Sequence, residues 1–117
     1  MARKVKLDLQ VKVPRGEVDK VMKYAKKYNR DNLQLVMRVI ADDMLEQAKR
    51  SWPIDTGRSA KGLRVQVETK GYTVVFRNRM DYAYWVEKRW FPLYPFFRTK
   101  WPGIMKRAKG YLRRGDF

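Results

Sequence analysis

Val5, Leu7, Leu9, Val11 and Val13 alternate with Lys4, Lys6, Asp8, Gln10 and Lys12. A period of two predicts a strand with one wet face, and Pro14-Arg15-Gly16 ends it. Val18, Val21, Met22 and Ala25 then fall at helical spacing. Leu33, Val36, Val39, Ile40, Met44, Ala48 and Trp52 repeat every three or four positions, the strongest helical pattern in the chain. Between the two, Tyr28-Asn29-Arg30-Asp31-Asn32 reads as a break, with Asn29 or Asp31 placed to cap a second helix. The apolar register nearly continues through it, so one long helix across residues 17–51 is also allowed. Pro53 stops the helical pattern.

Leu63, Val65 and Val67 alternate with Arg64, Gln66 and Glu68; after Lys70-Gly71, Tyr72, Val74 and Phe76 alternate with Thr73 and Val75. This predicts a β-hairpin. Asp81 to Glu87 reads as a short helix capped by Asp81. Trp90 to Phe97 is dense in aromatics and broken by Pro92 and Pro95. After Pro102, Ile104, Ala108, Tyr111 and Leu112 return to helical spacing. The order predicts a single α+β domain over residues 1–117: a small, mainly antiparallel sheet from the N-terminal strand and the hairpin, packed against a long amphipathic helix, with a C-terminal helix.

Composition narrows the chemistry. The 117 residues contain no cysteine and no histidine, which removes disulfide scaffolds, thiolate or imidazole metal sites and Ser-His-Asp triads. No cofactor is expected. No apolar run is long enough to span a membrane, and the basic N-terminus lacks the apolar block of a secretory signal, so no membrane association is expected. Lys and Arg number 28 against 12 Asp and Glu, a net charge of +16. Such a surface attracts polyanions, duplex nucleic acid first among them, without implying that sequence is read.

One triplet invites a catalytic reading. Asp55-Thr56-Gly57 matches the D-T-G of aspartic proteases, whose two subunits share a proton between paired carboxylates. The surroundings argue against it. Helical sequence and Trp52-Pro53 precede it where a buried strand is needed, and Arg58 follows directly, which would hold Asp55 ionised. A structural corner explains the stretch better. Pro53 ends the helix, Asp55 is placed to accept from the Gly57 amide in an Asx turn, Thr56 and Gly57 complete the bend, and Arg58 is placed to pair with Asp55 or to lie along the helix end.

The same corner begins a wider likeness. Pro53-Ile54-Asp55-Thr56-Gly57-Arg58 after an amphipathic helix, a hairpin, Asn78 followed by Asp81-Tyr82-Ala83-Tyr84-Trp85-Val86-Glu87, and Pro95-Phe96-Phe97-Arg98 before a final helix occur in that order. The set resembles the neck, or head–tail connector and tail-completion, proteins of tailed double-stranded DNA bacteriophages. Ser59-Ala60 stand where that family usually has a Leu, and Lys88-Arg89 where it usually has Gly after the Glu. The resemblance implies a non-enzymatic virion protein, assembled in the host cytoplasm. It also implies a homo-oligomeric ring around the DNA channel, between head-completion or adaptor proteins and the tail.

Two sets of residues are then candidates for contact. Tyr82, Trp85, Glu87, Trp90, Phe91, Phe96, Phe97 and Arg98 are subunit-interface candidates, since the loop holds more aromatics than so small a domain buries. Packing of Tyr82, Ala83, Trp85 and Val86 on the hairpin, or stacking of single-stranded bases on aromatics among Arg89, Arg98 and Lys100, are the competing readings. Lys20, Lys23, Lys27, Lys106, Arg107, Arg113 and Arg114 are candidates to face double-stranded DNA, against a background in which such runs are solvated faces. The composition also allows two other functions: a small basic nucleic-acid-binding protein, and a toxin-type ribonuclease using Lys, Arg and Tyr, for which no spacing argues.

Overall fold

A computed structural model of the chain describes residues 7–51, 63–78 and 93–117. Among these, the elements run β1 Leu7–Lys12, α1 Arg15–Lys26, α2 Leu33–Ser51, β2 Arg64–Glu68, β3 Thr73–Asn78, α3 Leu93–Arg98 and α4 Trp101–Arg114. The fold is α+β, as the apolar pattern predicts.

The sheet is antiparallel with β3 in the middle, in the order β1-β3-β2. Opposed residues share a face, so the register sorts the side chains into rows. Leu9, Phe76 and Val65 form one inner row, and Val11, Val74 and Val67 the next. These rows join the helices in one hydrophobic core. The outer face carries Gln10, Val75 and Gln66 in one row and Lys12, Thr73 and Glu68 in another. Alternation along β3 predicts that Thr73 and Val75 are wet, yet both are buried. The hairpin turn uses left-handed Gly71 (φ 87°) and Tyr72 (φ 54°), and the Val13 N–H donates to the Tyr72 carbonyl at 2.8 Å, prolonging the β1 ladder.

The break between residues 27 and 32 is real, and the reading of a single helix over 17–51 is thereby replaced by two. α1 closes in a Schellman turn: the Arg30 N–H donates to the Ala25 carbonyl (3.0 Å) and the Asn29 N–H to that of Lys26 (3.1 Å), with Asn29 left-handed at φ 56°. Asn tolerates that region better than other residues with a Cβ. The cap of α2 is Asn32, whose Oδ1 accepts from the Leu35 N–H at 3.0 Å. Asn29 and Asp31, the caps expected from the sequence, stand too early, because the chain must first leave α1 through a left-handed residue.

α2 buries a broad stripe (Val36, Met37, Val39, Ile40, Ala41, Met44, Ala48) because it touches β2, α1 and α4. α1 and α4 also pack on each other. α3 inserts Phe97, which stacks on Phe76 of the sheet (5.3 Å between centroids) and on Trp101 (5.7 Å). α4 ends at Gly115, left-handed at φ 82°. The guanidinium of Arg30 reaches the last carbonyls of α4, at Leu112 and at Arg113 (3.2 Å), and lies over the Phe117 ring. A cation there answers the negative end of the helix dipole. A Cβ at residue 115 would stand 3.2 Å from that guanidinium, so glycine serves both the turn and the approach.

Candidate functional site

The packing of α1 on α4 brings together two basic stretches about eighty residues apart in sequence, and that spacing decides which side chains meet. Lys20 and Lys23 on α1 and Lys27 at its C-cap follow one another at i, i+3 and i+7; Lys106, Lys109 and Arg113 do the same on α4. Residues so spaced lie along one side of a helix. The seam between the two stripes is aromatic. Tyr24 holds the Lys27 ammonium 5.7 Å from its ring centroid and the Lys109 ammonium at 5.8 Å, so one ring contacts a cation from each helix. Tyr28 packs beside it, with centroids 5.6 Å apart. Tyr24 beside it pushes the Tyr28 hydroxyl above its usual pKa, while the charge of Arg113 pulls the other way. Lys20 has an acidic partner, Glu17, at 3.6 Å. Lys23, Lys27, Lys106, Lys109 and Arg113 form no ion pair among the described residues.

The other flank of α4 is built differently. Asp43, in the apolar stripe of α2, has a fully buried side chain. The Nε–H of Arg107 is shared between its two carboxylate oxygens at 3.0 Å each, and the Tyr111 hydroxyl donates weakly from 3.5 Å. Burial raises the Asp43 pKa above the ordinary carboxylate value, and the Arg107 hydrogen bond and charge oppose the rise. Burial, then the Asp43 charge, raise that of Tyr111. Arg114 bonds Asp116 at 2.9 Å and lies over the Tyr111 ring. A cavity of about 220 Å³ opens beside this network, lined by Val39, Asp42, Asp43, Glu46, Tyr111 and Phe117 among others. Its carboxylates already have cations: Asp42 faces Arg38 at 3.5 Å and Glu46 pairs with Arg50.

A family model described as "Bacteriophage HK97-gp10, putative tail-component" matches residues 18–88, more than half of the 117. The chain belongs to this HK97-gp10-like family. No curated protein and no solved structure matches it. The match bears out the resemblance to phage neck and tail-completion proteins and makes the chain a phage structural protein of the tail region. It runs from α1 through the hairpin and beyond; α4, which supplies half of the basic seam, follows it in sequence.

The remaining candidates fall as follows in this HK97-gp10-like chain. The corner Pro53, Asp55, Thr56, Gly57 and Arg58 lies outside the described residues, as do Tyr82, Trp85, Glu87, Trp90 and Phe91. Phe97 is fully buried and fills the core instead of offering an interface. Phe96 is half-buried, meeting Phe97 edge-on at 5.1 Å, and Arg98 is exposed. Of the seven residues proposed to face DNA, Lys20, Lys23, Lys27, Lys106 and Arg113 share the α1–α4 side. Arg107 turns to Asp43 and Arg114 to Asp116. Asp43 is absent from the sequence candidates, although a carboxylate at a core-facing position between Ile40 and Met44 is itself a signal of a buried ion pair. Tyr24 and Tyr28 are absent too, because their role depends on α4 lying against α1. Among the described residues no helix is long and apolar enough to cross a membrane.

Proposed function

We propose that this phage structural protein is a subunit of the head–tail connector, forming a homo-oligomeric ring around the DNA channel between head-completion or adaptor proteins and the tail. Its role is mechanical: it joins two assemblies and keeps the passage sealed while DNA moves through, with no catalytic step. Family membership supports a place in the virion. The observation that carries the finer reading is the sorting of charge around α4, where one side is neutralised by acids of the same chain and the other is left cationic. A ring subunit needs such sidedness, since one repeated heterologous contact closes the ring and leaves a distinct face toward its lumen.

Quantitative mass spectrometry of purified particles tests this. The expected result is a fixed low copy number, equal to that of the portal ring or a simple fraction of it. Absence from particles that are otherwise complete rejects the connector reading. The alternative, a small basic nucleic-acid-binding protein acting outside the particle, would then account for the cationic face.

A further inference from the structure

We infer that the α1–α4 face, with Lys23, Lys27, Lys106, Lys109 and Arg113 around Tyr24, is a binding surface for the phosphate backbone of double-stranded DNA. This deepens the connector reading, on which it rests for its biological setting, by assigning the DNA-facing surface and excluding Arg107 and Arg114 from it.

Three observations lead there. First, these cations have no acidic partners, while most described cations on the α2 side of the molecule have one. Like charges held close on a packed surface repel one another, and a polyanion relieves that cost. Second, both stripes have the same i, i+3, i+7 spacing, which places three charges over roughly 10 Å of each helix at about 1.5 Å rise per residue. A duplex presents about one charge per 1.7 Å of its axis, enough to meet every cation on the face. Third, the charge is mostly lysine. Lys is depleted at protein–protein interfaces, where Arg and aromatics dominate, whereas a hydrated ammonium suits contact with phosphates in many registers. Ammonium contacts to phosphates carry no base information, and four of the five cations are lysines, so binding is expected to ignore sequence. Tyr24 meets one ammonium from each stripe and so links them.

The test uses the full chain and a labelled duplex of about 30 base pairs, titrated by fluorescence anisotropy between about 50 and 200 mM salt. Five uncompensated cations predict a slope of log K against log salt of about −4 to −5, at roughly 0.9 per phosphate neutralised. Two independent double variants, Lys27→Gln/Lys109→Gln and Lys23→Gln/Arg113→Gln, should each reduce the slope by about 2, equally for unrelated sequences. Lys49→Gln, an exposed cation of α2, should leave it unchanged. Circular dichroism and melting confirm that each variant is folded. The inference is overturned by absence of binding at the lowest salt, by slopes that the double variants do not move, or by poly-glutamate displacing the duplex at equal charge, which would point to an acidic protein partner. The particle census is read separately. Fixed copy number without DNA binding overturns this inference alone; DNA binding by this face without incorporation overturns the connector reading alone.

Discussion

The two flanks of α4 are both basic, and they do opposite work. On one, Arg107 and Arg114 are engaged by Asp43 and Asp116, and Arg107 fastens α4 to α2 through a carboxylate with no solvent access. On the other, Lys109 meets Tyr24 of α1 and Arg113 acts on Tyr28, with Lys106 exposed along the same stripe, and the lysines of α1 add charge of the same sign. The same residue types, one position apart in Lys106-Arg107 and in Arg113-Arg114, are thus divided between fastening and display. For Arg107 the divider is the neighbouring helix, since α2 offers Asp43 at a core-facing position; for Arg114 it is the chain just past α4, which offers Asp116; toward α1, Lys109 meets the Tyr24 ring. Net charge alone says nothing of this division.

The aromatics near α3 divide in the same way, and the largest expected effect lies there. Phe97 is turned in, stacked between Phe76 and Trp101, and Arg98 beside it is turned out. Phe97→Ala should lower stability by about 3–5 kcal/mol in urea unfolding, the usual cost of removing a buried aromatic ring. Arg98→Ala should change it by less than about 0.5 kcal/mol. Equal small effects from both would place Phe97 with the interface candidates and undo the division.

These cases show what was legible in the sequence. Every described strand and helix except α3 follows from the period of its apolar residues, and β1, β2 and α2 follow almost residue by residue. The sequence pattern sets the α2 cap one to three positions early because the loop holds three residues able to cap, and only the Schellman geometry decides that Asn29 ends α1 while Asn32 begins α2. The basic stretches were visible, but their meeting was not: residues 20–27 and 106–113 become neighbours through long-range packing that no local pattern encodes. Phe97 shows the limit of counting aromatics, since their excess in one segment cannot reveal which one the sheet accepts.

The next effect in size tests the fastening flank. Asp43→Ala leaves Arg107 without its partner, and breaking a fully buried pair costs about 3–5 kcal/mol. The Arg107 side chain is 40% exposed and can turn to water, so a loss of about 2–3 kcal/mol is expected. An Asp43→Leu/Arg107→Met double variant should recover most of it, because the apolar pair removes both charges from the contact. The pair also has a pH signature. Because burial raises the folded-state pKa of Asp43, its contribution to stability is fully present below the ordinary aspartate pKa and is lost as pH rises through the raised value. The stability of the native chain relative to Asp43→Asn should therefore fall with rising pH across that interval. A difference that is flat, or that rises, would mean the Arg107 charge outweighs desolvation.

The smallest effect has the opposite sign, and for that reason separates the flanks most sharply. Lys27 and Lys109 share the Tyr24 ring, a favourable contact at each, yet they belong to a face of like charges with no acid to pair with them. An exposed cation–π contact contributes about 0.5–1 kcal/mol, and surface repulsion among like charges is of similar size at low salt. Neutralising both lysines in Lys27→Gln/Lys109→Gln should consequently leave stability within about 0.5 kcal/mol of the native chain near 150 mM salt, and shift it upward at low salt, where repulsion reaches further. On the fastening flank the parallel neutralisation, Arg107→Gln, should destabilise at every salt concentration, since its partner is buried beyond the reach of mobile ions. A destabilising Lys27→Gln/Lys109→Gln variant at low salt would make the α1–α4 cations structural after all, held by Tyr24 for packing and not displayed for a polyanion.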